Sequence, residues 1–122
     1  MPDQVTLENT YWKLVRVGDI AINTGAGQRE PHLVFQNKER RVSGFTGCNQ
    51  MAGGYTRDGQ DLSFSQLITT KMACLGGGMA TENAFTAALQ RVHAWSISGQ
   101  QLTLSDASGP PLAVFDSRGP IP

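Results

Sequence analysis

The chain has 122 residues, enough for one hydrophobic core, and 39% hydrophobic with 16% charged residues suits a folded domain rather than a disordered segment. Ten basic residues cancel ten acidic ones, which removes the electrostatic drive toward nucleic acid or an anionic membrane surface. No apolar run reaches bilayer length, and "MPDQVTLENT" lacks the charged start and hydrophobic centre of a secretory signal, so the chain reads as soluble, with any leader already removed.

After a polar lead-in over residues 1–9, "TYWKLVRV" (Thr10 to Val17) alternates as a strand, with Trp12 and Leu14 on one face. The glycine and proline content of "GDIAINTGAGQREP" predicts a loop. "HLVFQ" and "RVSGF" form a hairpin about the turn "NKER", with Leu33 and Phe35 on one side. "GGYT" and "DLSFS" flank Asp58-Gly59, a strong turn dipeptide, and the β-branched "QLITTKMAC" reads as a further strand.

The pattern changes once. Phe85, Ala88, Leu89 and Val92 fall at i, i+3, i+4 and i+7, the apolar stripe of a helix entered through Gly76 to Gly78. Glu82 is expected to favour the electropositive first turn and Arg91 the last. Three short strands follow, with inward sets Trp95 and Ile97, then Leu102 and Leu104, then Leu112 and Val114. The tail "DSRGPIP" is expected to be poorly ordered, which sets the domain at 10–116 and a flexible segment at 117–122. Short links between neighbouring strands force antiparallel pairing. The expected fold is α+β: a curved antiparallel sheet or partial barrel of seven to eight short strands, with one helix packed across its open side.

Chemistry, if any, would centre on "SGFTGCNQMAGGY". As a nucleophile, Cys48 needs a base and a lowered pKa, and the spacing brings neither His32 nor His93 toward it, whatever Asn49 does to orient a partner. A soft-metal set of Cys48, Cys74, Met51, Met72 and Met79 suits Cu(I), but methionine beside a glycine-rich turn is more often core filling. "GFTGCN" lacks the lysine of a phosphate-binding loop. The structural reading explains more: Gly44, Gly47, Gly53 and Gly54 permit a bend or bulge, and Asn49 tolerates the left-handed region while bonding its own backbone. Two cysteines permit one bridge, whose 26-residue loop would contribute about 3.5 kcal/mol in the chain-entropy estimate.

Several motifs in fixed order carry a resemblance. "TYWKLV", "VSGFTGCNQMAGGY", "TTKMAC", "ENAFTAAL" and "LTL" with "LAVF" resemble the META domain family, typified by HslJ-like heat-shock-associated bacterial lipoproteins. The family pattern falls on Gly44, Gly47, Cys48, Asn49, Gly54 (or Gly53) and Tyr55, then Thr70, Met72, Ala73 and Cys74, then Glu82 and Phe85. The resemblance implies a compact antiparallel β fold with one helix, no catalytic residues, no cofactor and no metal. It implies a bridge between Cys48 and Cys74. It also implies a role in envelope stress or assembly through an unidentified protein or lipid partner, in a monomer. The implied location is periplasmic or associated with the outer membrane, with the cytoplasm as alternative because no lipobox cysteine stands in the sequence. A second reading is a small apolar-ligand or lipid-binding module, with a candidate pocket between helix and sheet lined by Trp12, Phe35, Phe85, Leu89 and Trp95.

Overall fold

A computed structural model describes residues 6–22, 30–70, 74, 78–107 and 109–120. Among these residues nine strands and one α-helix follow one another as β1 (Thr10–Val17), β2 (Ile20–Ala21), β3 (His32–Gln36), β4 (Arg41–Phe45), β5 (Gln50–Asp58), β6 (Asp61–Thr69), α1 (Gly78–Arg91), β7 (Ala94–Ser98), β8 (Gln101–Ser105) and β9 (Pro111–Pro120). A 3-10 turn (Lys38–Arg40) lies between β3 and β4. Their order is β2-β1-β3-β4-β5-β6-β7-β8-β9, and β1 also pairs with β9. All named strand pairs are antiparallel. The result is an eight-stranded closed barrel with the two-residue β2 appended beside β1. Closure pairs most of the edges that an open sheet would expose, although β6 meets β7 at a single register pair and leaves a thin seam there.

The inner face follows the expected alternation. Leu14 pairs with Phe115, Phe115 with Leu102, and Leu102 with Ile97, so one row of apolar side chains crosses four strands. A second row runs from Trp12 through Leu33, Gly44 and Met51 to Thr69. Gly44 takes this place because a Cβ there would lie 2.1 Å from the His32 carbonyl oxygen, which backbone cannot yield.

The barrel is tightest between β1 and β9 and thinnest between β6 and β7. Those last two share one register pair, Asp61 with Ala94, flanked by bonds from Leu62 N–H to His93 O and from Trp95 N–H to Gln60 O, both 2.9 Å. The helix joining them touches β9 and β1 on one wall and β6 on the opposite wall, so it lies across the barrel and plugs it. Phe85, Ala88, Leu89 and Val92 enter the core, and the Phe85 ring centre sits 5.9 Å from that of Phe115. Asn83, Gln90 and Arg91 face water.

Several expectations change. "DLSFS" and "QLIT" are not two strands but one, β6, because β5 pairs with both across a single register shift. The tail is strand through Pro120: Ser117 pairs with Trp12 and Pro120 with Thr10, because the outer edge of β1 needs a partner whatever the local glycine and proline content. The lead-in is also built in. Leu7 is buried, its carbonyl accepts the Trp12 indole N–H at 3.0 Å, and Asn9 N–H donates to the Phe35 carbonyl at 2.7 Å. On β9 Leu112 is in the core as expected, but Val114 is only partly buried, and Ala113 and Phe115 take the inward places because their register opposes Leu104 and Leu102.

Candidate functional site

The glycine and cysteine stretch forms the corner from β4 into β5. Gly47 has φ +112°, a backbone conformation that side chains avoid, and it reverses the chain between Phe45 and Gln50. Thr46 N–H donates to the Asn49 carbonyl at 2.9 Å, and Asn49 N–H returns to Thr46 Oγ1 at 3.1 Å. Cys48, buried at the tip, is bonded to Cys74, with Cα atoms 5.8 Å apart. Neither cysteine is a free thiol.

The side chains then reach beyond the corner. Thr46, Asn49 and Glu82 are 0%, 2% and 9% exposed, so their polar atoms must satisfy one another. Glu82 Oε1 accepts from Thr46 Oγ1 at 2.5 Å and from Asn49 Nδ2 at 2.8 Å. Thr70 Oγ1 donates to Asn49 Oδ1 at 2.8 Å and accepts from Gln50 N–H at 3.2 Å. Corner, β6 terminus and helix are therefore tied by one buried polar network beside a covalent clamp. Two residues serve differently from expectation. Glu82 lies past the first turn of α1 and is spent on the corner. Asn49 is absent from the residues with positive φ and bonds across the fold instead of only to its own loop.

Met51 lies in the core, as does Tyr55, and Gly54 pairs with both Arg41 and Ser65 as β5 continues. Met72 and Ala73 lie outside the described residues. His32 stacks on Tyr11 with ring centres 4.5 Å apart, and His93 is exposed. No group of three or more His, Cys, Asp or Glu able to hold a metal ion occurs among the described residues.

At the far end of β5 a second polar cluster forms. Tyr55 OH donates to Glu8 Oε2 at 3.1 Å, and Arg57 Nη1 pairs with Glu8 Oε1 at 2.6 Å. The Arg57 guanidinium also lies 4.8 Å from the Trp95 ring centre, whose indole N–H donates to the Gly59 carbonyl at 3.1 Å. Burial pushes the Tyr55 phenol up to about 12, with further raising from the Glu8 charge and from the bond to it. Sequence spacing gives no hint of this cluster, because Glu8 stands in a segment of no visible pattern.

Of the five candidate pocket residues, Trp12, Phe35, Phe85 and Leu89 belong to one packed core and Trp95 is half-buried against it. An open groove of about 450 Å³ lies elsewhere, beside the corner, lined by His32, Ser43, Ala52, Ile68 and Thr70 among others. No helix among the described residues is long and apolar enough to cross a membrane.

The same architecture occurs in solved proteins. A protein from Burkholderia xenovorans, determined by NMR, shares 28% identity and a TM-score of 0.72 over 96% of this chain and 91% of its own. A second NMR structure shares 20% identity and a TM-score of 0.71 over 93% of this chain and 95% of that one. A DUF4847-family protein from Bacteroides vulgatus matches more loosely, with 16% identity, a TM-score of 0.56, and coverage of 70% of this chain and 57% of its own. The latter two likenesses concern the fold alone. No functionally curated protein matches the sequence. The META domain profile matches residues 5–119, which span the barrel, the plugging helix and the clamped corner, and the chain belongs to the META domain family.

Proposed function

We propose that this META domain is a non-catalytic module of the bacterial envelope that acts in stress response or assembly by contact with a protein or lipid partner. The observation that carries the reading is the Cys48–Cys74 bond. It occupies both sulfurs, so the corner offers no thiol nucleophile, and such bonds persist in oxidising compartments. The buried donors and acceptors around it are paired with one another, which holds shape and leaves none of those pairs aimed at a substrate. A small-ligand pocket between helix and sheet is the weaker reading, because four of its five residues have no more than 1% of their surface exposed.

The test is the redox state in the cell. Gel-shift alkylation of the protein in intact bacteria should label neither cysteine until a reductant is added. Two freely alkylated thiols in growing cells would overturn the exported, contact-acting reading.

A further inference from the structure

We propose that the outer edge of β6, Ser63 to Thr69, is a docking edge that takes an extended, uncharged peptide segment of a partner protein as an added strand. This deepens the contact-acting reading above and rests on it. The starting observation is the thin seam of the barrel. β6 is nine residues long, yet it shares one register pair with β7. Beyond the Leu62 N–H bond to His93, all the backbone pairing of this stretch among the described residues goes to β5.

The alternation of an antiparallel strand fixes which groups are left. Leu62 points its N–H toward β7, so Phe64, two residues on, presents its N–H and C=O on the same side. Thr70 N–H bonds to Gln50 of β5, so Thr69 and Leu67 again face outward. Phe64, Leu67 and Thr69 therefore offer donors and acceptors at strand spacing along one line. Sheet proteins normally blunt such an edge with charge or proline. "SFSQLIT" carries neither, and Ile68 is 69% exposed, more than any other large hydrophobic residue among those described.

The same features choose the occupant. A ladder of N–H and C=O groups is satisfied by another backbone, whereas an acyl chain has no donors or acceptors to give it. The absence of charge on the edge favours an uncharged segment over an acidic or basic one. A second copy of this chain fits poorly. Two β6 edges paired about a two-fold axis would centre on Gln66, where a register shift and φ +54° mark a bulge in each strand. An unbulged peptide meets only one such irregularity. Its side chain beside Ile68 would fall at the lip of the groove that Ala52, Ile68 and Thr70 line.

The experiment titrates a blocked heptapeptide of alternating threonine and valine into the intact, oxidised protein and follows the amide NMR spectrum. Shifts should concentrate on residues 63–69, and hydrogen exchange of the Phe64, Leu67 and Thr69 amides should slow by at least about tenfold. Methylating the peptide nitrogens on the edge that meets β6 should abolish binding, and methylating the opposite edge should leave it. Ile68→Lys should weaken binding at least about tenfold with the thermal melt unchanged, while Ile20→Lys, on β2, should have no effect. Absence of binding, shifts that map away from β6, or dimerisation of the protein in place of peptide binding would each overturn the proposal. Those failures leave the contact-acting reading standing if the cysteines are oxidised in cells, whereas free thiols would sink that reading by themselves.

Discussion

Strand β5 ends in a polar cluster at either side of the barrel, and the two are built on opposite principles. At its start, Thr46, Asn49 and Glu82 are almost wholly removed from water, share neutral donors, and sit beside a disulfide. At its far end, Glu8 and Arg57 form an ion pair whose side chains remain 13% and 28% exposed, under a tryptophan ring. Both tie distant parts of the chain to the same strand. A buried network costs its full desolvation when one member is removed, whereas a pair that keeps access to water falls back on solvent. The corner should therefore respond to mutation as a unit, and the far cluster as separable small contributions.

The largest effect should come from opening the clamp. Cys48→Ser, or reduction, releases a 26-residue loop and should lower unfolding free energy by about 3.5 kcal/mol in the chain-entropy estimate. Urea denaturation with and without reductant measures it. A loss well under 1 kcal/mol would mean that the hydrogen-bonded corner holds its shape without the sulfurs.

Next comes the network itself. Asn49→Ala strips a partner from the buried Glu82 carboxylate and should cost about 2 kcal/mol, whereas the exposed Thr70 hydroxyl falls back on water; Glu82→Ala should cost a similar amount. Because they share one bond, the double variant should cost clearly less than the two single losses added, by about 1 kcal/mol. Additivity would show that the two side chains act independently.

How far this comparison was legible in the sequence differs between its halves. The motif around Cys48 marks a corner, and the stripe from Phe85 to Val92 marks the helix, because both follow from local spacing. Where Glu82 goes does not follow from spacing. Its place near a helix start fits a favourable dipole contact equally well, and only the docking of α1 across the barrel brings it to Thr46 and Asn49. The same limit hid the pairing of Ser117 to Pro120 with β1, where the need to close the barrel outweighs residues that elsewhere break strands. Glu8 is harder still, since its partners lie 47 and 49 residues away.

At the far cluster the expected effects are smaller. A double-mutant cycle on Glu8→Gln and Arg57→Gln should give a coupling of about 1 kcal/mol, falling as salt is raised. A coupling of about 3 kcal/mol or more, insensitive to salt, would make this pair as buried in behaviour as the corner and erase the contrast.

The last effect, no larger at neutral pH, is the most specific, and it belongs to Tyr55. Its folded value of about 12 lies above the ordinary value of 10, through burial first and the Glu8 carboxylate second. A raised folded value means that the neutral phenol is the form the fold prefers. Its contribution is thus fully present below pH 10 and is lost as pH rises from 10 through about 12, when the unfolded chain ionises first. Absorbance at alkaline pH should show Tyr55 ionising late, and Tyr11→Phe isolates its curve. Glu8→Gln should bring the Tyr55 curve down, but not to 10, because burial remains the larger cause. Tyr55→Phe should flatten the extra alkaline loss of stability, and at pH 7 it should cost only the hydrogen bond to Glu8, about 1 kcal/mol. If Glu8→Gln returned Tyr55 fully to 10, charge rather than burial would govern this end of β5. The far cluster would then be an electrostatic device set against the buried one at the corner.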